Sequence, residues 1–197
     1  MTEYSTSDRN GHEIGGRLRL LRNARRMTIG DLSEAAGVSA GIISQIERGK
    51  SNPSMKTVHR IKDALGVTLW ALLDDVSKGA TSGEPEFVRR AASRPRIVVG
   101  RHRIEKRLLS PNADQGLKFM LITMPPNSET DDVLIAPGDK GGLVLTGQVE
   151  VTVGDRSATL MKGDSFQFRS DQPHQITNRT DVVAELIWIM NTEPPAL

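Results

Sequence analysis

The side chains best suited to contacting another molecule lie in the second half of the stretch from Thr28 to Gly49. Hydrogen-bonding groups and small residues share one helical face there, and this face holds no acidic residue before Glu47. Hydroxyl, amide and guanidinium groups of this kind bond the base edges and phosphates of a DNA groove. The residues of the face are Ser39, Ala40, Gly41, Ser44, Gln45 and Arg48. We therefore expect a short helix that begins at Ser39 to enter the major groove of duplex DNA.

Gln45 is the residue of this face best able to read a base directly, because a glutamine amide can bond both N6 and N7 of adenine. Ala40 and Gly41 cannot make bidentate contacts, although a methyl group can touch thymine. Part of the specificity is then expected to come from DNA shape. Phosphate contacts are expected from residues that flank the reading helix, namely Arg17, Thr28, Lys50 and Asn52.

Two short helices joined by a tight turn are needed to position this face. Apolar residues recur at helical spacing from Ile29 to Ala36, and Thr28 stands before them as an N-cap. Gly37 breaks the pattern, since a residue without a Cβ can take the left-handed conformation of a sharp turn. The residues expected to face inward are Leu32, Ala35, Ala36, Val38, Ile43 and Ile46. We expect the small Ala35 to let the two helices approach closely, as in a helix-turn-helix.

Three further helices are predicted around this pair, giving a domain over residues 12–74. The first contains five arginines that we expect to lie largely outward: Arg17, Arg19, Arg22, Arg25 and Arg26. Such a charge run is most often a solvated helix face, and this alternative stays open beside phosphate contact. The fourth helix is predicted from Met55 to Leu65, and Thr68 opens a short fifth one. Residues 1–11 are polar and aperiodic, which predicts a disordered arm.

The block from Gly16 to Leu73 resembles the phage-repressor-like, Xre-type helix-turn-helix family. The resemblance rests on L-x-x-A-x-x-x-G-V-S, followed by I-S-x-I-E-R-G-x-x-x-P-S and A-L-G-V-x-L-x-x-L-L. It implies a transcription regulator that binds double-stranded DNA. Because a single domain of this kind has a small interface, we expect a homodimer on a palindromic operator.

Composition is consistent with such a protein. Residues 1–78 hold 12 Lys and Arg against 9 Asp and Glu, a net charge of +3, whereas residues 79–197 hold 14 against 15. The excess positive charge therefore lies in the N-terminal part, where DNA would bind. The chain has no cysteine, and no apolar run is long enough to span a bilayer. These features predict a cytoplasmic protein without disulfides or membrane contact.

The composition changes after residue 74. Residues 75–85 are rich in Gly and Ser and predict a flexible linker. Short β-type runs separated by turns then continue through residues 86–193, which predicts an all-β sandwich or barrel. The predicted strands are 87–89, 97–99, 106–109, 117–124, 133–135, 143–145, 148–153, 158–161, 165–169, 174–178 and 182–190.

The segments LVLTGQVEVTV, LMKGDSFQF and PHQITN resemble the two motifs of a cupin, a double-stranded jelly-roll barrel. Metal-binding cupins carry two histidines and a glutamate before the glycine of the first motif and one histidine in the second. In this sequence the first three positions fall on Leu134, Ala136 and Lys140, and only His174 matches the pattern. Leucine, alanine and lysine side chains cannot replace those ligands. We therefore expect no metal, no other cofactor and no catalytic residue.

A barrel of this size can still enclose a small molecule. We hypothesise that the altered site binds an effector, with a carboxylate facing Lys140. The residues expected to line it are Met120, Ile122, Lys140, Leu145, Phe166, Phe168, His174 and Trp188. Alternatively, Lys140 points to water and His174 is a satisfied core residue. Three functions follow: a ligand-responsive regulator, which we favour, a cupin metalloenzyme with an appended DNA-binding domain, or a barrel that only dimerises.

Overall fold

The computed structural model describes residues 11–73, 85–111, 116–130 and 137–191, without the side chains of residues 11–13 and 70. The chain divides into two compact units, one helical and one built of β-strands. The predicted arm at residues 1–11 and the predicted linker at 75–85 lie almost wholly outside the described residues. Both remain predictions.

The N-terminal unit contains the five predicted helices. They are α1 (Gly11–Ala24), α2 (Ile29–Ala36), α3 (Ala40–Glu47), α4 (Met55–Ala64) and α5 (Leu69–Leu73). Thr28 and Asp31 form a capping box at the start of α2: the Asp31 N–H donates to Thr28 Oγ1 at 3.1 Å, and the Thr28 N–H donates to Asp31 Oδ2 at 2.7 Å. Gly37 takes the left-handed conformation with φ 60°, which closes α2 and starts the turn into α3.

The core of the helical unit differs from the predicted set at one helix contact. Leu32, Ile43 and Ile46 are buried as expected, but Ala35 is exposed. The close approach instead involves Gly15 of α1, where a Cβ would collide with the Ile46 carbonyl oxygen and lie 2.9 Å from that of Glu47. The prediction for Ala35 was wrong because α2 turns that residue to solvent, while α3 packs closely on α1.

The C-terminal unit is a double sheet. Its strands are β1 (Arg96–Val99), β2 (Ile104–Leu108), β3 (Leu117–Met124), β4 (Ser128–Glu129), β5 (Asp139–Thr146), β6 (Gln148–Val153), β7 (Arg156–Met161), β8 (Ser165–Arg169), β9 (His174–Asn178) and β10 (Ala184–Asn191). One sheet has the order β1-β2-β3-β10-β5-β8, and the other β4-β9-β6-β7. This arrangement confirms the predicted two-domain fold class.

Two predicted strands need comment. Residues 87–89 form no strand and instead lead into a 3₁₀ turn at Ala91–Ser93, so that prediction was wrong. A three-residue run of β-prone residues predicts a strand only weakly, because β-propensity depends on the neighbouring strands. The predicted strand at 133–135 lies outside the described residues.

Side chains alternate between the two faces of each strand, and the inward-facing rows form the core. In β3, Met120, Ile122 and Met124 are buried, whereas Leu117 is exposed. In the part of the chain that the structure describes, no helix is both long and apolar enough to cross a membrane.

Candidate nucleic-acid interface and candidate ligand site

Helix α3 presents the predicted reading face to solvent. The backbone N–H of Ile42 donates to the Ser39 Oγ at 3.3 Å, so Ser39 is the N-cap and its hydroxyl hydrogen remains able to donate. Gln45 is exposed one turn further on, beside the half-buried Ser44. The other exposed residues predicted for this face are Ala40, Gly41 and Arg48.

The predicted phosphate contacts lie at three different places. Lys50 is exposed and follows α3, where its backbone N–H donates to the Gln45 carbonyl at 2.8 Å, and Asn52 is half-buried in the next loop. Thr28 is exposed, but its cap includes the Asp31 carboxylate, which opposes an incoming anion. Arg17 is half-buried and its Nε donates to the Ala71 carbonyl at 3.1 Å, a bond within the domain. Contact of these four residues with DNA remains a prediction.

Arg22 fixes α3 to α1 through a buried ion pair. Its Nε and one terminal nitrogen lie 2.6 and 3.0 Å from the two carboxylate oxygens of Glu47, and the other donates to the Met27 carbonyl at 2.7 Å. Hydrogen bonding to Glu47 raises the pKa of Arg22. The prediction that Arg22 lies outward was therefore wrong.

The same ion pair changes the charge of the reading face. Glu47, the one acidic residue of α3, turns inward, where its side chain is 6% exposed. Sequence reasoning treated Glu47 as the acidic end of the outward face. Its burial leaves neutral groups followed by Arg48 and Lys50, a surface suited to a polyanion.

Ile42 is a residue of this face that the sequence reasoning missed. It belongs to neither the inward nor the outward set predicted above, and its side chain is 44% exposed. An exposed branched aliphatic side chain next to Gly41 can contact the methyl group of thymine. The spacing gave no signal, because Ile42 and Ile43 lie four and three residues before Ile46, and both spacings fit one helical face.

In the barrel, Lys140 and His174 meet on the inner face. The Lys140 Nζ lies 3.2 Å from the His174 Nε2, and the other ring nitrogen, Nδ1, lies 2.8 Å from the carbonyl oxygen of Gln172. Because a carbonyl only accepts, Nδ1 carries the hydrogen and Nε2 accepts from the ammonium. Burial lowers the pKa of Lys140 to about 8. Burial also lowers the pKa of His174, against the opposing effect of the Gln172 carbonyl, and the charges of Lys140 and Lys106 lower it further.

Aromatic rings surround this pair. The ring centroids of Phe168 and Trp188 lie 4.9 and 5.9 Å from that of His174, and Phe166 lies 5.5 Å from Trp188. Gly142 makes this arrangement possible, since a Cβ there would lie 2.6 Å from Phe166 Cζ. The site therefore combines a buried cation with flat apolar walls.

The remaining predicted ligand-site residues divide between the faces. Met120 and Ile122 are buried on the inner face of β3. Leu145 is only half-buried and falls in a break of the β5–β10 register, where Val144 pairs with Leu186 and Thr146 with Glu185. Val144, not Leu145, provides the buried side chain at this point of β5.

The residues around His174 do not fit a metal ion. Leu134 and Ala136 lie outside the described residues, and neither side chain has a ligand atom. The nitrogen of His174 that faces the interior accepts a hydrogen bond from the Lys140 ammonium, whose positive charge opposes a metal cation. Among the residues that the structure describes, no group of three or more His, Cys, Asp or Glu is placed to hold a metal.

The fold and these two candidate sites define the class of protein: a helix-turn-helix domain joined to a cupin barrel. A protein-family model described as a helix-turn-helix domain matches residues 13–74, and one described as a cupin domain matches residues 120–190. The chain therefore combines a helix-turn-helix domain with a C-terminal cupin domain, as the resemblance to Xre-type regulators with a cupin predicted.

Similar proteins agree with this class over different lengths. The chain is 23% identical over 174 residues to the HTH-type transcriptional regulator PuuR of Escherichia coli, covering 88% of this chain and 91% of that protein. It is 38% identical over 60 residues to DdrOP3 of Deinococcus deserti, another HTH-type transcriptional regulator, covering 30% of this chain and 46% of that protein. A crystal structure of an HTH_3 family transcriptional regulator from Vibrio cholerae shares the fold, with a TM-score of 0.59, 23% identity and coverage of 93% and 97%.

Proposed function

We propose that the chain is a sequence-specific transcriptional regulator of the cytoplasm, whose α3 enters the major groove of a DNA operator. The observation that carries this proposal is the exposed face of α3, from which Glu47 is withdrawn by its ion pair with Arg22. Gln45 reads adenine, and Lys50 contacts a phosphate. The similarity to PuuR over most of both chains supports the same function.

The barrel senses a small-molecule effector that changes operator affinity. The support is chemical, because Lys140 is buried beside aromatic rings and burial of a charge costs free energy. An apolar side chain would fill a purely structural core without that cost. The barrel carries out no reaction in this proposal. The barrel binds the effector, and the helical domain responds with a change in its affinity for the operator.

The outer face of the six-stranded sheet is the proposed dimer interface, with a second copy of the chain as its occupant. Leu117, Leu143 and Ile189 are 55%, 38% and 40% exposed on the outward side of β3, β5 and β10. A groove of about 540 Å³ lies beside them and includes Gly141 and Ile189 in its lining. Apolar side chains on a broad sheet suit a self-complementary two-fold contact.

The first experiment measures operator binding. Fragments bound by the protein are selected from genomic DNA, and their affinity is measured by fluorescence anisotropy at several salt concentrations. Gln45→Ala is expected to cost about 1–3 kcal/mol and to relax specificity at one base pair, whereas Lys50→Ala lowers the salt slope by about one. Lys162→Ala, an exposed lysine of the barrel, is the matched control. Unchanged affinity in the Gln45→Ala/Lys50→Ala variant would refute the proposed reading helix.

The second experiment measures mass in solution by light scattering. Ile189→Glu is expected to give a monomer that binds a palindromic operator weakly. Met161→Glu, which places the same charge at another exposed apolar residue of the barrel, is expected to leave the dimer intact. A dimer in both variants would place the interface elsewhere.

A third measurement tests the alternative of a cupin metalloenzyme. That alternative requires iron, manganese or zinc bound at about one ion per chain and a substrate that is turned over. Elemental analysis of protein purified without chelators, followed by addition of each metal, decides between the two. Stoichiometric metal that depends on His174 would contradict the sensing proposal.

A further inference from the structure

A cleft of about 320 Å³, which we call the outer cleft, lies beside β4 and β9 of the four-stranded sheet. Glu150 of β6 stands between the buried Val149 and Val151, so its side chain points outward, and it pairs with Thr177 of β9. Glu129 of β4 pairs with Thr177 from the other side. Because Glu129 and Thr177 line the cleft, it opens on the outer face of the sheet and not toward the barrel interior.

Two ion pairs place opposite charges at the outer cleft. Arg101 donates from Nη2 to the Glu129 Oε1 at 2.7 Å, and Arg179 donates from Nη2 to the Glu150 Oε1 at 3.0 Å. His102 also lines the cleft, and its Nε2 accepts from the Arg101 Nε at 2.9 Å, so this ring is neutral. Glu129 and Arg179 are therefore the two charged side chains of the lining.

Both of these side chains keep hydrogen-bonding groups for a ligand. Within residues 11–73, 85–111, 116–130 and 137–191, the Oε2 of Glu129 and the Nε and Nη1 of Arg179 make no hydrogen bond. The hydrogen bond and charge of Glu150 raise the pKa of Arg179, and the charge of Glu129 raises it further although no bond joins the two. Glu129 and Arg179 thus face the same space while each is bonded to a different partner.

The floor of the outer cleft is polar and fixed. Thr177 is only 8% exposed, and its hydroxyl makes no hydrogen bond to another residue that the structure describes. The Nδ2 of the fully buried Asn178 donates at 3.2, 3.0 and 2.8 Å to three backbone carbonyls, those of Met124, Pro125 and Val182. These bonds connect β9 to the segments that precede β4 and β10, so the lining keeps its shape before a ligand arrives.

We propose that the outer cleft binds a free α-amino acid, whose ammonium group meets Glu129 and whose carboxylate meets Arg179, with the Thr177 hydroxyl as a further hydrogen-bond partner. A lone anion would be repelled by Glu129 and a lone cation by Arg179, whereas a zwitterion bonds both. The Cα of Thr177 lies about 5 Å from that of Glu129 and about 6.5 Å from that of Arg179, so both long side chains reach over one residue. The proposal goes beyond the proposed function, because this cleft is separate from the site of Lys140 and His174.

The test measures binding to the full-length protein without DNA. Thermal-shift screening with each of the twenty standard amino acids at about 10 mM identifies those that bind, and calorimetric titration gives their affinities. At least one amino acid is expected to bind with a Kd of about 1 mM or tighter. Absence of binding by all twenty at about 10 mM would overturn the proposal.

Analogues that lack one of the two charges test recognition of the zwitterion. For L-leucine they are 4-methylpentanoate, which lacks the ammonium group, and 3-methylbutylamine, which lacks the carboxylate, and the corresponding pair is used for any other amino acid that binds. Each analogue is expected to bind about tenfold or more weakly than its parent, because a charge-assisted hydrogen bond is lost. An analogue that binds as tightly as the amino acid would contradict the proposal.

Two variants assign each charge to one side chain. Glu129→Gln and Arg179→Gln are each expected to weaken the amino acid about tenfold. Glu129→Gln should also abolish the preference over the carboxylate analogue, and Arg179→Gln the preference over the amine analogue. Asp155→Asn and Arg156→Gln, exposed at β7 of the same sheet, are the matched controls. Circular dichroism checks folding, and if one variant fails to fold, the other carries the test alone. Unchanged affinity in the folded variants would remove the outer cleft as the binding site.

A variant of the barrel interior distinguishes the two sites. Lys140→Met is expected to leave amino-acid affinity unchanged, since Lys140 lies on the inner side of the strands. Loss of amino-acid binding in Lys140→Met together with its retention in Glu129→Gln would place the amino acid inside the barrel and overturn this inference while leaving the proposed function in place.

Discussion

The two domains bury positive charge in opposite ways. In the helical domain, Arg22 lies against Glu47 with a bond to each carboxylate oxygen, and this pairing raises its pKa. In the barrel, Lys140 lies against a neutral imidazole, and burial lowers its pKa to about 8. A buried cation that is neutralised by its own domain is part of the framework. A buried cation hydrogen-bonded to an uncharged imidazole is the kind of group that the proposed function uses to bind an anion.

The distinction matters for function because the two kinds of site respond differently to a partner. The Arg22–Glu47 pair fixes α3 against α1 and holds the reading face in one orientation before DNA binds. Burial of the Lys140 ammonium costs free energy, which an anion bound as in the proposed function would offset. The ion pair of the helical domain therefore favours both stability and the proposed DNA recognition. The buried lysine of the barrel lowers stability while it favours the proposed ligand recognition.

Breaking the pair in the helical domain should have the largest effect. Glu47→Gln leaves the Arg22 guanidinium buried without a countercharge, and the expected loss is about 3 kcal/mol of unfolding free energy. The measurement is urea unfolding followed by circular dichroism at the helical signal. The double variant Arg22→Met/Glu47→Leu should recover most of that loss, since apolar side chains replace both charges. A double variant as unstable as Glu47→Gln would show that the loss does not come from leaving the Arg22 charge unpaired.

The glycine contact between α1 and α3 provides the next test. Gly15→Ala forces the helices apart, because its Cβ would meet the carbonyl oxygens of Ile46 and Glu47. We expect a loss of about 2 kcal/mol and weaker operator binding as α3 moves. Gly16→Ala is the matched control on the same helix, where a Cβ meets no atom within 4 Å. It should raise stability by up to about 1 kcal/mol through helix propensity. Equal effects at the two positions would remove Gly15 from the account.

Removing the buried charge of the barrel should raise stability instead of lowering it. Lys140→Met is expected to raise the melting temperature of the barrel at pH 7, because no ammonium then has to be desolvated. The direction of the pH dependence follows from proton binding. Between about pH 8, the pKa of Lys140 in the folded chain, and pH 10.5, its ordinary pKa, the unfolded chain holds a proton that the folded chain has lost. The unfolding free energy of the wild type therefore rises with pH through this window, and the advantage of Lys140→Met shrinks. Melting curves at pH 7, 8, 9 and 10 measure the stability difference between Lys140→Met and the wild type. A variant less stable than the wild type at pH 7 would indicate that Lys140 has a structural role.

The smallest effects should distinguish residues of the helical domain that only stabilise the fold from residues that also contact DNA. Thr28 and Ser54 are both N-caps whose hydroxyls accept a backbone N–H three residues on. Thr28→Ala and Ser54→Ala should each cost about 1 kcal/mol of stability. Only Thr28→Ala should also lower operator affinity and the salt slope, if the start of α2 contacts a phosphate. Equal operator affinity in the two variants would assign Thr28 to the framework.

Local patterns predicted much of the fold. The N-cap at Thr28, the turn at Gly37 and the bounds of β3 all follow from neighbouring residues, and the structure has them. The partner of Arg22 could not be predicted in this way, because Glu47 is 25 residues away and arginine runs usually face water. Ala35 was assigned inward because helical spacing alone does not distinguish a packed face from its border.

The ligand site shows a similar limit. Motif spacing identified Lys140 and His174, but their mutual hydrogen bond and the tautomer of the ring depend on Gln172 and on the opposite sheet. Non-local pairing therefore determined how these two side chains meet.

Gly142 limits how this barrel can be adapted to other molecules. A Cβ at position 142 would lie 2.4 Å from the backbone carbonyl oxygen of Ile187 and 2.6 Å from the ring of Phe166. Because the nearer of these neighbours is backbone, a smaller residue at position 166 would not by itself admit a side chain at 142. A relative that accepts a ligand of different shape is therefore expected to change the aromatic rings that face this glycine and to keep the glycine itself.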